Sequence, residues 1–240
     1  MKKLLVLLAV MAAVFTMGTS VWAADFELYG DYGCVDQFYG TVPLGPSLSV
    51  SGYSVGATCD FGRIIIGGEY MLRSIDGYIW PGSYGGMTTY DIYAGYKLFD
   101  TKKFELYGLL GYAGNSFATG IYLGPIGVQY ALHAEGIVAG IGAELKLGSF
   151  VIDGKLMATV NGSASETASL LGPGGYSLGL THEFDGGLLL IGDLRLKWQI
   201  TDLFGIYGAI RYIKTDGIDA GVSKQLGQSI WYSVGLSFSF

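Results

Sequence analysis

Only two histidines occur in the 240 residues, His133 and His182. Each has acids close by, Glu135 in one case and Glu183 with Asp185 in the other, the residue types of an acid–base pair. Neither spacing defines a metal site, because two imidazoles from distant segments leave the coordination sphere open. Cys34 and Cys59 carry thiols that an oxidising compartment would bridge if they met. Gly136-x-x-x-Gly140-x-Gly142 has the spacing of a phosphate loop, but it lies in a strand-like alternation. No helix follows it, and no lysine is placed to reach a phosphate. The expectation is no cofactor, no metal and no enzymatic activity, with both histidines in solvated loops.

The segments around these residues alternate with a period of two, which puts successive side chains on opposite faces of a strand. One face is apolar: Ile64, Ile66, Tyr70 and Leu72; Tyr90, Ile92, Tyr96 and Leu98; Phe104, Leu106, Leu110 and Tyr112. Ile137, Ile141, Leu145 and Leu147 continue it, then Phe150, Ile152, Leu156 and Val160, then Leu188, Leu190, Leu194, Leu196 and Trp198. The last rows are Phe204, Ile206, Ile210 and Tyr212, then Ile230, Tyr232, Val234, Leu236, Phe238 and Phe240. Two weaker strands near 25–33 and 48–60 precede them. The opposite parity holds Glu69, Asp91, Lys97, Glu105, Glu144, Lys146, Asp153, Lys155, Asp193, Arg195, Lys197 and Arg211. Near-balanced charges on one inward face predict a salt-bridged interior, since charges leave water cheaply only when paired. The glycines Gly67, Gly95, Gly140 and Gly142 on that face would open space, so a narrow water-filled path is the alternative.

Half of the chain is hydrophobic but only 14% is charged, against roughly 25% in an average soluble protein. Residues 1–23 read as a signal peptide: Lys2 and Lys3, an apolar run from Leu4 to Phe15, and a small-residue cleavage pattern ending at Ala23. Past it, no apolar run approaches the roughly 18 residues of a membrane-crossing helix. Loss of Lys2 and Lys3 would take Lys+Arg from 14 to 12 against 20 acids, a net charge of −8 that argues against nucleic acid as a partner.

Strands of about ten residues with one apolar face suit either a soluble sandwich or a membrane barrel. Two features favour the barrel over residues 24–240. Phe61, Phe99, Phe104, Phe150, Phe204 and Phe240 fall at one set of strand ends and Tyr32, Tyr70, Tyr90, Tyr112 and Tyr212 at the other, as two interfacial girdles would. Connections also alternate between short turns (59–62, 99–103, 148–149, 201–203) and long segments (34–47, 73–87, 113–135, 161–187, 214–228), the latter expected as external loops. The count is ten strands; weak alternation in 121–133 and 176–184 leaves twelve open. On this map Cys34 and Cys59 lie at opposite ends of adjacent strands, too far apart to bridge.

The C-terminal SVGLSFSF, with Val234, Leu236, Phe238 and Phe240 at every second position, resembles the terminal signature of bacterial outer-membrane β-barrel proteins. The resemblance is to the small OmpA/OmpX-like or porin-like barrels as a class and identifies no single family. It implies an all-β, transmembrane, antiparallel up-and-down β-barrel in the outer membrane of a Gram-negative cell. It also implies recognition of that last strand by the barrel-assembly machinery, and contact with outer-membrane lipid and lipopolysaccharide. Lipid A deacylases of this architecture place a serine two residues after a histidine; Glu135 and Phe184 stand there instead. Omptin proteases need an aspartate–histidine pair, and no Asp-x-His occurs. The expected role is structural or surface interaction, with a sealed polar lumen and loops that present Tyr78, Trp80 and Tyr84, aromatics suited to recognition. A narrow porin-like channel is the alternative, and a surface enzyme relying on His182 or Asp185 is a third reading.

Overall fold

A computed structural model of the chain describes residues 25–40, 49–76, 83–123, 126–172 and 177–240. The expected signal peptide and the loop residues Tyr78 and Trp80 lie outside the described residues, as does the side chain of Tyr84. Among the described residues there are eleven strands: β1 Asp25–Gly40, β2 Ser49–Asp60, β3 Ile64–Asp76, β4 Ser83–Asp100, β5 Phe104–Leu123, β6 Ile126–Leu147, β7 Phe150–Leu171, β8 Ser177–Glu183, β9 Gly186–Gln199, β10 Phe204–Asp219 and β11 Val222–Ser239. Ten close into an antiparallel barrel in chain order, because β6 pairs with β7, β7 with β9, and β11 returns to β1. The seam is made at the ends of the chain, where Phe26 and Phe240 exchange both backbone hydrogen bonds, at 3.1 and 2.8 Å. β8 stands outside the ring. It pairs only with β7, in the register that β9 follows lower down the same edge, with Ser165 opposite Glu183 and Ala158 opposite Leu190.

The ring confirms ten strands, and the segment offered for a twelfth supplies β8. The expected long loops 113–135, 161–187 and 214–228 are corrected: they are mostly strand. β5 and β6 pair up to Leu123 and Ile126, and β10 and β11 up to Asp219 and Val222. The reason is that ladder hydrogen bonds need no apolar row. Beyond the tyrosines the outward side chains become polar, so the alternation that marks a strand fades while the strand continues.

Local chemistry sets the turns at the other end. Gly148 takes φ of 66° in the two-residue hairpin between Leu147 and Phe150, a conformation that glycine adopts without strain. Thr101 and Thr201 cap two matching turns, each hydroxyl accepting a 3.0 Å hydrogen bond from the amide of the phenylalanine three residues on. Those phenylalanines, Phe104 and Phe204, head their strands and pack in aromatic pairs with Phe99 and Phe238. Phe150 with Trp198 and Phe26 with Phe240 extend the same girdle. From Phe104 to Tyr112 eight steps cover about 27 Å of strand, or about 21 Å of height at a tilt of about 40°. That is close to the apolar band of a transmembrane barrel, about 25 Å. Cys34 faces Ser51 and Cys59 faces Phe26 in the β1–β2 ladder, so eight pairs, about 27 Å, separate the free thiols.

Candidate functional site

The middle of the lumen is a charge box. The Arg195 Nη2 donates to Glu69 Oε2 at 2.6 Å and to Asp193 Oδ2 at 2.9 Å. Arg211 Nη2 bridges the same two carboxylates, reaching Asp193 at 2.5 Å and pairing with Glu69. The Arg195 guanidinium lies 3.9 Å from the ring centre of Tyr29, whose hydroxyl donates to Glu69. Beside the box, Lys155 donates to Asp91 at 2.8 Å over the ring of Tyr93. The strand register brings these groups together, since Arg211 faces Asp193, Asp193 faces Lys155, and Glu69 faces Asp91. Arg211, Glu69 and Asp193 are 3%, 5% and 7% exposed, so the box is held within the lumen. Arg73 is the odd member. Its guanidinium meets the thioethers of Met71 and Met87, the Ser229 hydroxyl at 3.1 Å and the Trp231 ring, and it forms no ion pair among the described residues.

Toward the turn end a second network links Lys97 to Asp60 and Glu105, and Lys146 to Glu105 and Glu144, at 2.6–3.0 Å. Lys197 pairs with Glu27 at 2.9 Å. Glu27, Asp60, Glu105, Glu144, Lys146 and Lys197 line a polar cavity of about 510 Å³ that is also faced by Asp153, which makes no ion pair among the described residues. The twelve charged residues expected inside thus all face the lumen or its turn-end cavity, and eleven are ion-paired. Val234, Leu236, Phe238 and Phe240 of the expected assembly signal all point outward, with Val234 72% exposed.

Two expectations about the interior are corrected. The inward glycines do not open a path: a Cβ on Gly67 or Gly142 would overlap the rings of Tyr93 and Tyr107, so the rings already occupy that room. Nor is the lumen polar throughout. Leu109, Ala113, Val138, Met157, Leu189, Ile191 and Ile213 form one buried apolar cluster, and Met87, Phe117, Leu132, Ala134, Ala164, Phe184 and Leu226 another toward the far end. The run 188–191, apolar on both parities, carries that signal in the sequence.

His133 is not a loop residue. It sits in β6 directly opposite Ser116 of β5, both facing outward. Ser116 Oγ lies 2.7 Å from His133 Nδ1, and Glu135 Oε2 lies 3.4 Å from Nε2. Glu135 also accepts a 2.6 Å hydrogen bond from the Tyr90 hydroxyl, and Tyr90 stacks with Tyr112. Ser116 belongs to no motif or apolar row in the sequence. The Gly124-Pro125 dipeptide is a turn signal that centres the hairpin and makes 116 and 133 partners. His182 lies on β8, where its Nε2 is 2.7 Å from Asp219 Oδ2; that bond, then the Asp185 amide on the same carboxylate, holds Asp219 below the usual carboxylate range. Asp185 Oδ2 in turn accepts from the Ala220 amide at 3.0 Å. Burial pushes the Glu166 carboxyl up, but hydrogen bonds from Lys224 and Tyr130 outweigh it and hold the group below its ordinary value.

A closed, ten-stranded antiparallel barrel with an apolar exterior, two aromatic girdles and a charged interior is the fold of the bacterial outer-membrane β-barrels. One solved structure shares that fold, and others show a weaker likeness. The outer-membrane protease OmpT from Escherichia coli matches with a TM-score of 0.58 at 10% identity, over 90% of this chain and 96% of its own. A major outer membrane protein from Thermus thermophilus matches at 0.47 and 12% identity, over 91% and 100%. The translocator domain of the autotransporter NalP from Neisseria meningitidis matches at 0.45 and 11% identity, over 97% and 94%. No family model and no curated protein matches the sequence.

Proposed function

We propose that the chain is an integral outer-membrane protein, exported behind a cleaved signal peptide, whose barrel is a sealed scaffold that holds its long-strand end above the membrane. The observation that carries this reading is the nearly buried Glu69–Arg195–Asp193–Arg211 box, which ties β3 to β9 and β10 across the lumen. A conducting path would have to separate charges that are paired and largely out of water, which is costly. The termini and short turns then face the periplasm, and β8 with the paired tips of β5–β6 and β10–β11 faces outward. Lipid and lipopolysaccharide would surround the apolar rows, and the barrel-assembly machinery would read Val234 to Phe240. Single-channel recording of the refolded mature protein in a planar bilayer tests the reading, with a heat-modifiable gel shift to certify folding. The expected trace is silent; discrete conductance steps would replace the scaffold with a narrow pore.

A further inference from the structure

The outer surface changes character within one row of side chains. On β4, β5 and β6 the outward residues Ile92, Leu110 and Ile137 are apolar and exposed. Across the ladders, the row of Tyr90, Gly114 and Glu135 is followed by Thr88, Ser116, His133 and Ser165. The Ser116–His133 row lies four residues beyond the last apolar row of Ile92, Tyr112 and Ile137, about 14 Å of strand or about 10 Å of height at a tilt of about 40°, against a headgroup layer of about 5–8 Å on each side of a bilayer. The pair therefore stands at the outer edge of the headgroup layer, with the apolar rows below it.

The contacts there have the order of a hydrolytic site. Glu135, itself held by the Tyr90 hydroxyl, faces His133 Nε2, and with the imidazole proton on that nitrogen Nδ1 keeps the lone pair that accepts from Ser116 Oγ. Such a set is recognised by geometry and roles whatever the chain order. An open depression of about 410 Å³ borders the pair and is lined by Thr88, Ser116, His133 and Ser165. The backbone amides are committed to the sheet, so the hydroxyl of Thr88, next to Ser116 in the register, is the donor placed nearest a developing oxyanion.

We propose that Ser116, His133 and Glu135 form an outward-facing nucleophile, base and orienting acid that hydrolyse the acyl esters of membrane lipids at the outer edge of the headgroup layer. Ser116 Oγ adds to the ester carbonyl carbon while its proton passes to His133 Nδ1. The carbon–oxygen bond to the lipid alcohol breaks, the alcohol leaves with that proton, and the acyl group stays on Ser116. Water then adds to the acyl-serine, giving a proton to Nδ1; the Oγ–carbon bond breaks, Ser116 regains the proton, and a fatty acid departs. Glu135 is a positioning residue that fixes the imidazole tautomer. The inference goes beyond the scaffold reading and is indifferent to whether the lumen conducts.

The test uses the refolded mature protein, its folding verified by the gel shift, in vesicles of phosphatidylethanolamine and phosphatidylglycerol, with and without lipopolysaccharide. Fatty-acid release is measured alongside labelling by a fluorophosphonate. Release in the first arm identifies glycerolipid esters, and release that appears only with lipopolysaccharide identifies its acyl esters; either supports the proposal. Ser116→Ala should abolish the label, and His133→Asn should cut turnover by about 10²-fold or more. Glu135→Gln should lower kcat and the labelling rate by about 10-fold or more, with KM unchanged. His182→Asn, at the other histidine, should keep both. Folded wild-type protein that releases no fatty acid in either arm, or a label that persists in Ser116→Ala, would overturn the assignment.

Discussion

The two halves of the barrel interior differ in the chemistry that fills most of them. The turn-end half holds paired carboxylates, lysines and arginines around a polar cavity of about 510 Å³. The far half holds Met87, Phe117, Leu132, Phe184 and Leu226 in apolar contact, with Arg73 and the hydrogen-bonded Thr89, Asn115 and Thr215 at its base. An ionic filling is satisfied only while every partner is in place, because a buried charge that loses its partner keeps the full cost of desolvation. An apolar filling degrades by the size of the hole left in it. The first half should thus be intolerant of single losses in proportion to how many partners each group serves, and the second in proportion to volume.

Glu69 is the most sensitive position on that account. Its Oε2 accepts from Arg195, Arg211 and Tyr29, so Glu69→Gln should cost about 3–5 kcal/mol. Urea unfolding of the refolded barrel would read it as a lowered midpoint. Arg195→Leu should cost clearly less, since Arg211 still bridges both carboxylates; equal losses would show that the box does not act as a shared network. In the far half, Leu132→Ala should cost about 3 kcal/mol by the same assay. A neutral result there would mean that the apolar cluster is loosely packed. The smallest effect belongs to β8. Its ties to the rim run through Asp219, and those of neighbouring Glu166 through Lys224, both carboxylates with folded values below their ordinary ones. Stability from such groups is complete above the ordinary carboxylate value of about 4 and is lost as the pH falls through the lower folded values. Hydrogen exchange over residues 177–183 should therefore speed up below about pH 4 beyond the change in intrinsic rate, while the β7 amides over 151–156 stay protected. Uniform behaviour across both segments would remove β8 as a separate element.

The difference between the halves also explains what could be read in advance. Outward parity was legible because every strand meets the same solvent over the same height: Ile92, Leu110, Ile137 and Leu194 each repeat the rule. The charged half followed from parity, since Glu69, Asp193, Arg195 and Arg211 have nowhere but the lumen to go. The apolar cluster beside the charge box was obscured because Val138, Leu189 and Ile191 sit beside outward apolar residues and break the alternation. Glycine was ambiguous for a different reason. Gly67 and Gly142 leave room whose use depends on a cross-strand neighbour, and Tyr93 and Tyr107 take it. Ser116 and His133 were hidden by the end of the apolar row, where pairing continues without a hydrophobic signature.

The Phe26–Phe240 seam has a consequence for how the chain reaches this state. Every other junction in the ring joins strands that are close in sequence, so each hairpin can form early at small entropic cost. The seam joins the two ends of the chain and can be made only when all the others are nearly in place. Until then β1 and β11 each carry an open edge able to pair with another copy. Folding speed and the risk of aggregation should both be governed by this one long-range closure, and a catalyst of barrel insertion would gain most by holding these two edges until they meet.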